Sequence, residues 1–303
     1  MNDGNKGRII LVGGEKGGSA KTTMAVNLAV LSARSGRDTL LVDTDPQGSA
    51  SDWTVARDEE IEKGIQEGNA NGSPPRIACL QKFGKGLARE LEDLSTRYEE
   101  IIVDAGGRDS VELRAAMTKA EVMVSPIQAS SFDLWTLRRL DELVRQAQAF
   151  NSDLKVLVVI SRAPTNPSVT DTTEAAELVS EYETFSLARH PVRERIAFRR
   201  SAGQGLGVVE YDPADKKAIF EINALYKEIS NEHAIVEPYP WEGLDDKKRR
   251  EPFNIRFTDA EKAMLKFVEE NGRDSMHAFC VSVLRPALRQ KIEEITGKKL
   301  EGE

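Results

Sequence analysis

The sequence predicts an α/β fold: a parallel β-sheet flanked by helices, followed by a small, separately patterned C-terminal unit. Three observations predict it. Five short runs rich in Ile, Val and Leu alternate with helix-length amphipathic segments, the pattern of strands covered on both faces by crossover helices. The first run feeds a glycine-rich turn and then a helix-like stretch. Each candidate site motif stands at the carboxyl end of a run, where ligands sit in open parallel sheets.

In chain order, Arg8 to Val12 is the first strand. The turn after it is Gly13-Gly14-Glu15-Lys16-Gly17-Gly18-Ser19-Ala20-Lys21-Thr22-Thr23, and Met24 to Ala33 continues as a helix. Strand, glycine-rich turn, Lys-Thr and helix form the order needed to cradle a nucleotide phosphate. Backbone N–H groups and the positive helix end point at one anion, while a lysine and a hydroxyl add charge and a Mg²⁺ ligand. The turn is therefore expected to bind ATP or GTP. A second strand, Thr39 to Val42, ends in Asp43-Thr44-Asp45-Pro46-Gln47-Gly48, and a third, Glu100 to Val103, in Asp104-Ala105-Gly106-Gly107. Strands over Glu121 to Val124 and Leu154 to Ile160 follow, with helices over Phe132 to Phe150 and Pro213 to Ser230. Taken from the residues alone, Asp43 and Asp104 are either site carboxylates or strand-end caps of the next helix.

The usual phosphate-loop pattern, G-x-x-x-x-G-K-[ST], is missed literally, because Glu15 and Ala20 stand where its glycines belong. What fits is K-G-G-x-x-K-[ST], with Lys16 near the start of the loop. This variant resembles the deviant Walker A motif of the ParA/MinD family of ATPases, and the resemblance covers roughly Arg8 to His233. It implies a P-loop NTPase fold with ATP and Mg²⁺ bound at Gly14, Glu15, Lys16, Gly17, Gly18, Ser19, Ala20, Lys21, Thr22 and Thr23. It also implies that Lys16 reaches across a homodimer to the partner's nucleotide, so that hydrolysis controls association. Asp43 to Ala50 looks like the family's switch I, with Asp43 near the Mg²⁺ shell and Asp45 positioning or activating the attacking water. Ile101 to Gly107 looks like its Walker B strand and switch II, with Asp104 holding Mg²⁺ through water and Gly107 offering an N–H to the γ-phosphate. Asp212 and Pro213 are expected to line the base pocket.

Composition narrows the classes further. A chain of 303 residues, 40% of them hydrophobic, can bury a full α/β core and leave room for a second unit. No apolar stretch approaches the roughly 18 residues that span a bilayer, and Met1 to Arg8 has no apolar signal core. The expectation is a cytoplasmic, nucleoid-associated protein with no membrane contact. Cys79 and Cys280 are far apart, and His190, His233 and His277 show no pairing, so no metal beyond Mg²⁺ is assigned.

Net charge is −8, but positive charge gathers at the C-terminus, where Lys247 to Lys299 holds thirteen Lys and Arg against eight Asp and Glu. Residues 1–235 form the ATPase domain in this reading, the Pro-, Gly- and charge-rich 236–250 a linker, and 251–303 a second unit. In the last, Phe253 to Phe257 alternates apolar and polar residues, Thr258 with Glu261 makes a capping box, Asn271-Gly272 stops a helix, and Ser275 caps another. The pattern resembles a ribbon-helix-helix DNA-binding fold, whose implied readers are Asn254 and Arg256, with Ser275 at a phosphate. Pro286 departs from it by interrupting the second helix, and the alternative is a hairpin that only dimerises.

Arg189, Arg193, Arg195, Arg199 and Arg200 form another basic cluster. ParA-like proteins bind DNA without sequence preference through such residues, which assigns Arg193, Arg195, Arg199 and Arg200 to DNA; the alternative is a solvated face paired with Glu194 and Glu210. The function expected is an ATP-dependent DNA partition ATPase with a ParB-like activating partner. An ATP-regulated, site-specific DNA-binding autorepressor and a positioning ATPase for a protein cargo remain as alternatives.

Overall fold

The computed structural model describes residues 6–14, 17–67, 73–107, 109–128, 134–163 and 178–230. The chain divides into two compact units, Met1–Glu237 and Pro238–Glu303. The second lies outside the described residues, as do Asn254, Arg256 and Ser275 and the ribbon-helix-helix and linker assignments made on it.

The first unit is a parallel sheet of eight strands: β1 (Arg8–Val12), β2 (Thr39–Asp43), β3 (Ala78–Gln81), β4 (Glu100–Asp104), β5 (Val122–Gln128), β6 (Lys155–Ala163), β7 (Ser186–Leu187) and β8 (Val192–Arg193). Their order is β3-β2-β4-β1-β5-β6-β7, with β8 also pairing with β6. The chain thus winds outward from β1 in both directions, which opens a crevice at the carboxyl ends of the central strands. Register places Val12 beside Asp104 and Asp104 beside Asp43, so the ends of β1, β4 and β2 form one row.

The apolar runs divide by alternation, as a sheet covered on both faces requires. Ile10, Val12, Leu41, Ile102 and Val124 face one core with α1 (Lys21–Arg34), α2 (Ser49–Gln66), α6 (Ile196–Ala202) and α7 (Lys216–Ile229). Ile9, Leu11, Val42, Ile101 and Val103 face the other with α3 (Leu87–Leu94), α4 (Val111–Met117) and α5 (Leu134–Gln148). Helix α3 buries Leu87, Leu91 and Leu94 at helical spacing, a single apolar stripe on an otherwise charged helix. Helix α1 is buried over most of its circumference, from Met24 to Val30.

Within the first unit, the expected strands and helices form within a few residues of their expected ends, while the strand and helices expected after Phe253 lie outside the described residues. Helix α1 begins three residues earlier than its apolar pattern, because the phosphate-loop lysine and threonines make up its first turn. Strand β3 was not expected: it lies at the sheet edge, is four residues long and has no fully buried position, so it leaves no apolar run to read.

Candidate functional site

The turn between β1 and α1 is held open as a cradle by backbone geometry. Gly13 N donates to Val124 O (3.0 Å), Gln128 Nε2 donates to Gly18 O (2.8 Å), and Gly18 has φ +75°. Ala20 caps α1 with φ +68° and ψ +26°, a left-handed conformation that costs a non-glycine residue about 1–2 kcal/mol. The common pattern puts glycine there, and the structure shows the physical reason. Glu15 and Lys16 lie outside the described residues.

Gly107 closes the cradle from the other side. A Cβ on it would stand 2.8 Å from Gly17 N, 2.9 Å from Gly17 Cα and 3.0 Å from Lys21 Nζ, so only glycine allows this approach of the segment after β4 to the loop. Lys21 is 7% exposed, and its Nζ is 3.5 Å from Ser19 Oγ. Burial lowers the Lys21 pKa, against the opposing charges of Asp104 and Asp45.

The three carboxylates take distinct roles. Asp43 Oδ2 accepts from Ser51 N and Ser51 Oγ (both 2.9 Å), and its Oδ1 accepts from Asp45 N (3.0 Å). Ser51 lies in the first turn of α2, so Asp43 does cap the next helix and fixes the switch turn between. Asp45 is half-buried, accepts from Gln47 N (2.9 Å), and packs where a Cβ on Gly106 would meet its carboxyl carbon at 3.4 Å.

Asp104 differs from both. It is 1% exposed, and neither carboxylate oxygen accepts a hydrogen bond of normal geometry from the described residues. Helix α4, the next in sequence, is capped by Ser110, whose Oγ accepts from Leu113 N, so Asp104 is not spent as a cap. Burial, reinforced by the charges of Asp43 and Asp45, raises its pKa to about 7; the nearby Thr22 hydroxyl and Lys21 ammonium offset this only in part. Thr44 N and Oγ1 donate to the Asp104 carbonyl (2.9 and 3.0 Å), tying the turn after β2 to the end of β4.

These donors fit a small, hard dication. Mg²⁺ takes one or two carboxylates or hydroxyls and completes its shell with water and phosphate oxygens, so it needs no dedicated cage, and none of three or more His, Cys, Asp or Glu side chains exists among the described residues. A buried acid whose oxygens accept no hydrogen bond of normal geometry from the described residues, beside the Thr22 hydroxyl, is the group such an ion would satisfy.

Beside the loop lies a cavity of about 530 Å³, lined by Ala20, Thr23 and Met24 on one wall and by Arg162, Glu194, Arg195, Phe198 and Arg199 among others on the opposite one. Arg162 has φ +49° at an irregularity in the β6–β8 pairing, a second left-handed non-glycine position. Asp212 and Pro213 do not line this cavity. They are exposed in the turn before α7, whose cap Asp215 accepts from Lys217 N and Ala218 N.

Residues 10–220 match the model of the CobQ/CobB/MinD/ParA nucleotide-binding domain. The chain belongs to that family. It is 30% identical over 235 residues to the maintenance of carboxysome distribution protein A of Gloeobacter kilaueensis, covering 74% of this chain and 93% of the relative. It is 29% identical over 171 residues to the chromosome-partitioning ATPase Soj of Thermus thermophilus, 51% of this chain and 69% of the relative. The McdA–ATP complex of Cyanothece superposes with a TM-score of 0.57 at 16% identity, over 75% of this chain and 98% of that one. Among the described residues no helix is long and apolar enough to cross a membrane.

The basic cluster expected from the sequence is only partly free of internal partners. Arg195 makes a two-pronged pair with Glu221 on α7 (Nη2–Oε1 2.5 Å, Nε–Oε2 3.1 Å), and Glu221 also accepts from Arg193 N (3.1 Å). Glu221 is 6% exposed, so Arg193 and Arg195 are held by a buried carboxylate rather than by Glu194 and Glu210 as the alternative reading had it. Arg199 and Arg200 are exposed on α6. Glu210 is engaged elsewhere, with Arg57, a residue sequence reading passed over. Its signal was present: Ala50, Trp53, Thr54 and Arg57 share the buried stripe of α2, and a guanidinium on such a stripe demands an internal partner.

Proposed function

We propose that the chain is a partition or positioning ATPase of the ParA type, which binds ATP with Mg²⁺, dimerises across the bound nucleotide, associates with DNA in that form and releases it on hydrolysis. The single observation that carries the reading is Asp104: a buried carboxylate with no hydrogen bond of normal geometry from the described residues, beside Thr22 and Lys21, in a cradle closed by Gly107. The turn amides and Lys21 hold the phosphates; Gly107 N–H faces the transferred group; Asp45 orients the attacking water; Lys16 enters the partner's site. Mg²⁺ would be held by Thr22 and Asp104, with Asp43 setting the turn beside them, and would neutralise charge on the phosphate oxygens. Catalysis built from positioning and charge alone suits a slow switch that a ParB-like partner accelerates.

Arg199 and Arg200 are the exposed pair suited to the DNA backbone, while Arg193 and Arg195 shape the face behind them. The large cavity beside Thr23 suits the base and ribose. Likeness to a carboxysome-distribution protein favours a second reading, in which the cargo moved over DNA is a protein assembly. An autorepressor role would rest on Asn254, Arg256 and Ser275.

The test is Lys16→Ala against the unaltered chain, by light scattering and by DNA binding with ATP, ADP and no nucleotide. ATP-dependent dimerisation and DNA binding in the unaltered chain, both lost in the variant while nucleotide still binds, are the expected result. Dimerisation indifferent to Lys16 or to ATP refutes the proposal.

A further inference from the structure

The best-knit polar structure outside the phosphate loop joins the two helices that begin at the site. Helix α1 starts in the phosphate loop and α2 starts in switch I. Segment 205–210 is bonded to both. On the α2 side, Arg57, fully buried, donates from Nη1 and Nη2 to Glu210 Oε2 and Oε1 (each 2.9 Å), from Nη1 to Gly205 O (2.9 Å), and from Nε to Pro75 O (2.9 Å). Its guanidinium stacks 5.1 Å from the Trp53 ring. On the α1 side, Asn27 Oδ1 accepts from Val208 N (2.8 Å), while Asn27 Nδ2 donates to Thr23 O (2.8 Å). Glu210 Oε2 also accepts from Gly207 N, which closes the segment on itself (2.9 Å).

The fit admits little adjustment. A Cβ on Gly205, which has φ +67°, would stand 2.1 Å from Arg57 N, and one on Gly207 would stand 2.8 Å from Val30 Cγ1 on α1. Both approaches are so close that the segment seats directly on α1 and α2, with no room for a side chain at either glycine. Desolvating a guanidinium and a carboxylate is costly unless geometry is good, so a pair this buried indicates a fixed position rather than general cohesion.

We propose that segment 205–210, locked by Arg57 and Asn27, is a brace that sets switch I against the phosphate loop, making Arg57 and Asn27 positioning residues for phosphoryl transfer. The path runs from Arg57 along α2 to Ser51, which donates twice to Asp43, and from Asn27 one turn along α1 to Thr23. Neither residue lies in the turn between β1 and α1; both stand within the helices. The kinetic part of the proposal rests on the ATPase reading above; the conformational part does not.

The test uses the full chain, Asn27→Ala and Arg57→Lys. Asn27→Ala removes a tie without stranding a buried charge, and Arg57→Lys keeps the charge opposite Glu210 but loses the fork. Two quantities are read: amide hydrogen exchange over residues 43–51, and the split of hydrolysis into kcat and nucleotide affinity. The expected result is faster exchange at 43–51 in both variants, with kcat down about tenfold and ATP affinity unchanged, since a small misplacement of positioned groups acts on the transition state. Exchange that rises only within 205–210, with kcat per folded molecule unchanged, overturns the brace. An unaltered chain that binds ATP without hydrolysing it refutes the ATPase reading alone, and the exchange data then decide the brace.

Discussion

Asp104→Asn tests the meaning of the orphaned carboxylate most directly. In the folded chain the carboxyl has a pKa of about 7, because burial disfavours the anion. In the unfolded chain it should titrate near 3.9. Between these values the folded state keeps a proton that the unfolded state has released. Stability therefore falls as pH rises through this window, at a limiting slope of about 1.4 kcal/mol per pH unit, and levels off above it. Over about three units the upper bound is about 4 kcal/mol, the reverse in sign of a salt-bridged acid. Asparagine carries no charge at any pH and escapes the loss. In urea denaturation with chelator and no nucleotide, the stability of the variant relative to the unaltered chain should rise by up to about 3 kcal/mol between about pH 5 and pH 8, since about two units of the window lie above pH 5. Adding Mg²⁺ and ATP should reverse the order, because only the carboxylate form gains the stabilisation of binding the ion. Parallel stability curves for the two proteins from about pH 5 to pH 8 would refute the argument that the burial of Asp104 is only partly compensated.

Two further outcomes follow from the cradle. Ala20→Gly removes the left-handed strain at the start of α1, offset by glycine's larger chain entropy, and should raise stability by up to about 1 kcal/mol; a lower melting temperature would show that Ala20 is unstrained. Gly107→Ala forces a methyl against Gly17 and Lys21, and should leave the fold's circular dichroism intact while weakening binding of a fluorescent ATP analogue at least about tenfold, measured by titration.

Most of the sheet and the loop were legible because their signals are local. Ile9 to Val12, Leu40 to Val42 and Ile101 to Val103 are buried on both faces, so the runs are continuous and announce themselves. Asp43 and Asp104 could not be told apart by sequence, since what separates them is a partner eight residues along, Ser51, and the lack of one. The arginines misled for a similar reason. Arg195 is paired with Glu221, which lies 26 residues on across α7, and no spacing rule anticipates that contact. Arg57 and Glu210 are separated by 153 residues, so their bond is a property of the folded chain.

The single row formed by the ends of β1, β4 and β2 limits how such a chain can vary. Inserting or deleting one residue within any of the three would shift its terminal group by about 3.3 Å and turn it to the opposite face of the sheet. A carboxylate so displaced would enter one of the two cores instead of the crevice. Length changes are therefore ruinous in these strands, as they are in the phosphate loop and in segment 205–210, and the row Val12, Asp104, Asp43 acts as a fixed origin against which connections away from the crevice can lengthen.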